Sequence, residues 1–173
     1  MPATLLPLDL YLGHAGDFEP DADYIDGEIE LRPMGELDHA TWQMALLSWF
    51  DRQREEWNIR VRCELRVQTG TKTYRVPDVV VWDRSLPREQ ILTHPPIAVF
   101  EVLSPEDRMS RMMKKLADYE RMGIKTIRVI VPETGKISSF VNGKLEPITD
   151  ATEQLSGSLC FIDWAKVKGL MDF

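Results

Sequence analysis

The chain has 173 residues, 43% hydrophobic and 28% charged, a length and balance that suit one soluble globular domain and exclude a disordered chain, a collagen-like fibre or a disulfide-stapled miniprotein. Its 21 Lys and Arg stand against 28 Asp and Glu, a formal net charge of -7, which argues against a protein that coats nucleic acid by bulk positive charge. A local basic face or an acidic metal site stays open.

Residues 1–23 are rich in Pro, Gly and Asp and have no clear period. They read as an arm with one short helical turn, ahead of a single domain over 24–173. No apolar run approaches the roughly 18 residues of a membrane span. The first residues lack the basic and sustained apolar regions of a signal peptide, so a cytoplasmic protein is the expectation. Asp26-Gly27, between Tyr24-Ile25 and Ile29-Glu30-Leu31, signals a hairpin. Ile29 and Leu31 are expected to face in, and Glu28, Glu30 and Arg32 out.

From 38 to 56 the pattern is helical. Trp42, Ala45, Leu46, Trp49 and Phe50 recur every three or four residues and make one apolar face. Asp38 is the expected N-cap. Residues 59–68 alternate, with Val61, Cys63, Leu65 and Val67 on one side and Arg60, Arg62, Glu64 and Arg66 on the other, as in a half-exposed strand. Thr69 to Lys72 forms a turn, and 74–82 is the strand that returns. Cys63 and Cys160 lie far apart in apolar stretches and read as buried free thiols.

After a loop containing Pro87, Pro95 and Pro96, residues 97–103 are nearly all apolar, the pattern of a strand covered on both faces. Ser104-Pro105-Glu106-Asp107 opens a helix, with Ser104 as N-cap and Pro105 in the first turn. Gly123 ends it. Residues 126–131 form another strand. Strand-like pieces at 137–141 and around 159–162 flank or follow an Asn142-Gly143 turn. The sum is an α/β chain of the α+β type: a mixed sheet flanked by helices, with hairpins near both ends.

Two acids sit where solvated charge does not belong. Asp78 lies between Pro77 and Val79-Val80-Val81, and Glu101 lies in the middle of the most apolar strand. A buried carboxylate costs several kcal/mol unless it is paired, hydrogen-bonded or bound to metal. Two of them on adjacent strands could share one divalent cation, and oxygen ligands suit Mg²⁺ or Mn²⁺. The alternative is structural: one acid pairs with a buried arginine and the other caps a backbone edge.

The following helix carries Met109, Met112, Met113, Leu116 and Tyr119 as its core stripe. At about 100° per residue, Arg108, Arg111 and Lys115 follow one border of that stripe, and Lys114 points outward. Between 106 and 128 there are seven basic residues and four acids. That segment is either a solvated face with i,i+4 pairs or a phosphate-contacting surface beside a metal site. Trp42, Trp49 and Trp57 read as core, and His14 and His94 as loop residues. Glu28 reads as part of the exposed hairpin face. P-loop, GxSxG, HExxH and CxxC motifs are absent from the sequence.

Pro77-Asp78, then Glu101-Val102-Leu103-Ser104-Pro105, then a helix with Lys115, Tyr119 and Gly123, resembles the Uma2 family (DUF820) of the PD-(D/E)xK nuclease superfamily. The likeness extends back to Tyr24-Ile25-Asp26-Gly27-Glu28, and His39 matches a histidine typical of the family. The resemblance implies a restriction-endonuclease-like core and a metal-dependent endonuclease acting on DNA. Asp78, Glu101 and the Val102 backbone carbonyl would hold Mg²⁺ or Mn²⁺. Lys115 would orient or activate the attacking water and offset developing charge, and His39 would assist. Arg108, Arg111 and Lys114 are the candidate nucleic-acid contacts.

The chain departs from the pattern at three places. Leu103 stands where the superfamily places its lysine, two residues after the glutamate. Arg111 stands where the family often has an aspartate. Ser104-Pro105-Glu106-Asp107-Arg108 replaces the usual Ser-Pro-Ser-Thr. These motivate a second reading, a catalytically inactive nuclease-fold protein used for nucleic-acid binding or assembly. A hydrolase of small phosphate esters is a third. A homodimer, which would double the modest basic face, is the expected assembly.

Overall fold

The computed structural model describes residues 5–13, 22–33 and 35–171. The predicted loop residue His14 and most of the N-terminal arm lie outside these residues. The chain runs α1 (Leu8–Gly13), β1 (Ala22–Ile25), β2 (Glu28–Leu31), α2 (Leu37–Asp51), β3 (Ile59–Cys63), β4 (Val67–Gly70), β5 (Thr73–Arg75) and β6 (Val79–Asp83). It continues through β7 (Ala98–Val102), α3 (Met109–Met122), β8 (Thr126–Val131), β9 (Lys136–Val141), β10 (Lys144–Pro147), β11 (Thr152–Gln154), β12 (Phe161–Asp163) and α4 (Trp164–Gly169).

The central sheet has six strands in the order β10-β9-β8-β7-β6-β3. Only β7 and β8 pair in parallel, joined by the α3 crossover. A second sheet of order β2-β1-β5-β4 stands beside it, and β11 and β12 form a two-stranded ribbon. Among the described residues no helix is long and apolar enough to cross a membrane.

The pleat of the central sheet divides the core. Val79, Val81, Ala98, Phe100 and Val102 face α2 and α4, where they meet Trp42, Leu46, Phe50, Trp164 and Val167. Val80, Trp82 and Val99 face α3, where they meet Met112, Leu116 and Tyr119. Because side chains alternate along a strand, Glu101 shares the α3 face with Val99. The predicted apolar faces of both long helices are thus the ones that cover the sheet, and the tryptophans Trp42 and Trp57 are core. A third cluster, Tyr11, Tyr24 and Tyr74, fastens α1 to the smaller sheet. Tyr11 and Tyr24 stack with ring centroids 4.9 Å apart.

The two hairpin signals hold. Asp26 and Gly27 both have positive φ, as do Asn142 and Gly143, which is what a two-residue type I′ connection requires. Gly123 closes α3 at φ 100°.

Several expectations are corrected. The predicted strand over 59–68 is broken at Glu64, whose φ is 55°. The predicted strand over 74–82 is broken at Val76-Pro77-Asp78, where Pro77 has no N–H for a ladder. Both breaks pass the chain from one sheet to the other, so one expected long hairpin becomes two short pairings, β3 with β6 and β4 with β5. Cys63 lies beside the first break and is exposed, whereas Cys160 is buried as expected.

At β2 the inward and outward assignment fails. Ile29 packs on the tyrosine cluster, but Leu31 is 57% exposed. Arg32 turns inward, because an acidic pocket lies on that side. Helix α2 has Glu36 as N-cap, two residues ahead of the expected Asp38, which lies inside its first turn. Its first turn closes on the Glu36 carbonyl, which accepts from Ala40 N–H at 3.0 Å. It also ends at Asp51, ahead of a run of turns. Helix α3 starts at Met109, with Arg108 as N-cap, and Met109 is exposed rather than core. Ser104 does not cap it. The Asp107 carboxylate accepts from Ser104 N–H at 2.6 Å, and Asp107 N–H donates to the Ser104 carbonyl at 3.0 Å. Those bonds make a separate turn ahead of the helix. The tail strand β12 pairs with β11.

Candidate active site

The register of β6 and β7 sets Val79 opposite Phe100 and Val80 opposite Val99. One step further along the same antiparallel register brings Asp78 opposite Glu101. Both carboxylates are then delivered to one end of the strand pair, on the face that α3 covers. Lys115 and Tyr119 stand one turn apart on α3 and reach that point together.

The result is a pocket of about 330 Å³ lined by Asp78, Glu101, Lys115, His39, Val102, Ser104, Arg108 and Arg111, together with Asp23, Glu30, Arg32 and Arg75. Asp78 and Glu101 are 3% and 2% exposed. Asp78 Oδ2 accepts the Val102 N–H at 2.7 Å. Its Oδ1 pairs with the Arg32 guanidinium and lies 3.3 Å from His39 Nε2. Gln43 Nε2 donates to the Asp78 carbonyl at 3.1 Å. Glu101 Oε1 accepts from the Tyr119 hydroxyl at 2.7 Å and lies 3.1 Å from Lys115 Nζ. Both contacts use the same oxygen. Lys115 Nζ also donates to the Val76 carbonyl at 2.9 Å and lies 3.8 Å from Asp23 Oδ2.

A second set of charges underlies the first. Arg75 is 3% exposed. Its Nε and Nη2 reach Asp118 Oδ2 at 2.8 and 2.7 Å, and its Nη1 reaches Asp23 and Glu30 at 3.2 and 3.3 Å. Asp23 Oδ1 accepts Val76 N–H at 2.9 Å. The charge set therefore fixes the chain on both sides of the Val76-Pro77-Asp78 crossing.

These surroundings split the two acids. Burial works against ionisation of Asp78, but the His39 hydrogen bond and the Arg32 charge outweigh it and hold the carboxyl well below its usual range. Burial also dominates at Glu101 and pushes it up to about 8, against the pull of Lys115 and with repulsion from Asp78 added. Burial opposes the charge of Lys115, yet Asp23 and Glu101 raise its pKa. The same contest at His39 is settled by Asp78, which raises the imidazole.

Among the described residues, the buried atoms His39 Nδ1 and Ser104 Oγ have no hydrogen-bond partner. Gly35 packs against the imidazole: a Cβ there would sit 2.9 Å from Nδ1. Among the described residues, no group of three or more His, Cys, Asp or Glu side chains is gathered as a metal site. The two carboxylates still fit Mg²⁺ or Mn²⁺. Such ions take one or two protein carboxylates and keep waters, and Glu101 Oε2 takes no hydrogen bond among the described residues.

Of the residues singled out by sequence, Asp78, Glu101, Lys115 and His39 meet in this pocket, with Arg108 and Arg111 lining it. Arg111 Nε is 3.4 Å from Glu30 Oε1. Lys114 is exposed and does not line the pocket. The contact of Val102 with Asp78 runs through its amide. Glu28 is exposed. Sequence reasoning missed Arg32, Asp23 and Arg75. Arg75 had a signal, since it stands beside Pro77-Asp78 in an otherwise apolar stretch. Arg32 was assigned to the wrong face.

Residues 11–168 match the model of the Uma2 family, described as "Putative restriction endonuclease". The chain is 22% identical to a crystal structure described as "a putative nuclease belonging to DUF820 from Anabaena variabilis", with a TM-score of 0.78 over 98% of this chain and 99% of that one. That likeness shows a shared fold. None of the curated proteins matches.

Proposed function

The chain belongs to the Uma2 family, and on that premise we propose that it is a metal-dependent endonuclease hydrolysing DNA phosphodiester bonds at the pocket of Asp78, Glu101 and Lys115. One observation carries the reading: two buried acids from adjacent strands and a buried lysine from the crossover helix converge there. Burying that much charge is costly even when it is paired, and buried, perturbed titratable groups gathered in one cleft mark a candidate functional site.

Asp78 and Glu101, with the Val102 carbonyl, would hold Mg²⁺ or Mn²⁺. When bound, such an ion supplies Lewis acidity toward the phosphate and a more acidic water. Lys115 is held by Val76 and Asp23, so its ammonium stays fixed beside Glu101. There it would offset charge that develops on the phosphoryl oxygens. His39 would hold Asp78 through Nε2 and keep Nδ1 for a proton. Arg108 and Arg111 would contact flanking phosphates, which positions the strand without reading its sequence. A homodimer would present two such pockets; light scattering that shows only monomer at high concentration would remove that part.

The inactive-module reading has its own support. Each carboxylate already carries a cationic partner, Arg32 on Asp78 and Lys115 on Glu101. The test is Mn²⁺ calorimetry with supercoiled-plasmid nicking, on wild type and on the Asp78→Ala/Glu101→Ala double variant. Binding and nicking that both vanish in the variant support the endonuclease. Binding without nicking supports the module. No binding by wild type would mean that both acids are structural.

A further inference from the structure

We propose that Arg32 competes with a divalent cation for Asp78, so that binding of the cation drives the guanidinium off Asp78 and onto Glu64. The inference rests on the metal-binding reading above and adds a regulator to that site. Arg32 comes from the smaller sheet, just past β2, while Asp78 immediately precedes β6 of the central sheet. The guanidinium is 12% exposed and Asp78 is 4% exposed at their side chains. A cation approaching Asp78 Oδ1 therefore meets a fixed positive charge in direct contact with its ligand. The rest of Asp78 is engaged too, by His39 on Oδ1 and Val102 N–H on Oδ2.

Glu101 differs. Its two contacts both fall on Oε1. Among the described residues Glu101 Oε2 thus takes no contact, although Lys115 holds Oε1, whereas both oxygens of Asp78 are engaged. Arg32 also has somewhere to go. Its Nη1 is already 3.7 Å from Glu64 Oε1, and that side chain is 45% exposed. Glu64 has a positive φ at the break between β3 and β4, and its N–H is tied to the Pro77 and Asp78 carbonyls at 3.2 and 3.3 Å. The receiving carboxylate is therefore anchored by its own backbone to the segment that carries Asp78. A guanidinium can turn from one acid to the other without leaving the pocket mouth.

The experiment is Mn²⁺ calorimetry on wild type, Arg32→Gln, Glu64→Gln and Asp78→Asn, with circular dichroism of each. Arg32→Gln is expected to bind Mn²⁺ at least tenfold more tightly than wild type. Glu64→Gln is expected to bind it severalfold more weakly, and Asp78→Asn not detectably. Equal or weaker binding by Arg32→Gln, with wild type still binding, would overturn the competition and leave the metal reading intact. No binding by any of the four would overturn both. If Arg32→Gln fails to fold, wild type gives the answer by NMR. Saturating Mg²⁺ should shift the Arg32 Nε–Hε resonance, assigned by its loss in Arg32→Lys; an unmoved resonance would overturn the inference.

Discussion

Replacing Arg75 by Met tests the charge set that holds the pocket together. The substitution keeps much of the side-chain volume and removes the cation. Asp23 and Asp118, 3% and 8% exposed, would lose the guanidinium they share. Removing one partner of a buried ion pair costs about 3–5 kcal/mol, because the other charge stays uncompensated. Asp23 keeps the Val76 N–H and the more distant Lys115. Asp118 keeps Arg121, which is largely exposed. Those remaining partners place the expected loss near the lower end, about 3 kcal/mol. For a chain of this size that lowers Tm by roughly 6–12 °C. Urea unfolding followed by circular dichroism measures it directly, with Arg121→Ala as a control expected to cost under about 1 kcal/mol, as exposed pairs do. A loss below about 1 kcal/mol for Arg75→Met would refute the reasoning, since the two acids would then have reached water or other partners.

Three further outcomes are expected. Lys115→Ala should slow plasmid nicking by about 10²-fold or more, the scale for losing a fixed transition-state charge partner, while Lys114→Ala leaves the rate unchanged; equal effects would remove the helix-face assignment. Glu101 holds its proton more tightly folded, at about 8 against an ordinary 4.5, so stability should fall as pH rises through that window without added divalent cation. Glu101→Gln should flatten that part of the profile, and an unchanged slope would count against the burial account. Gly123→Ala should cost about 1 kcal/mol in urea unfolding, because alanine is strained at φ 100°; a neutral result would mean that the turn relaxes.

Much of the fold was legible because its signals are local. The Asp26-Gly27 and Asn142-Gly143 turns, the period of the two long helices and the apolar run of β7 each follow from neighbouring residues. Their order implied a mixed sheet flanked by helices, and the family resemblance implied its restriction-endonuclease-like core. What failed depends on distant contacts. Alternation alone continues through Glu64 and past Val76, and only the presence of two sheets makes those positions crossings. The cap of α3 failed because Asp107, a side chain three residues on, took the Ser104 amide.

The pocket divides in the same way. Asp78 and Glu101 stood out because carboxylates in apolar strands are costly wherever they fold. Lys115 followed from helical geometry. Arg32 could not be placed, because its partner lies 46 residues away and its strand was assigned the opposite face. Asp23 looks like an ordinary surface charge until the two sheets come together, and the signal at Arg75, a charge beside Pro77-Asp78, does not say which acids it meets.

The proposed function stands or falls on Glu101 and its neighbours as the site of phosphodiester hydrolysis. The most direct measurement is Mg²⁺-dependent nicking of supercoiled plasmid by Glu101→Gln beside wild type, with matched circular dichroism. The substitution keeps the side chain's shape and removes its capacity to ionise. Wild type should nick the plasmid and the folded variant should not. A folded Glu101→Gln that nicks at the wild-type rate would contradict the proposed function.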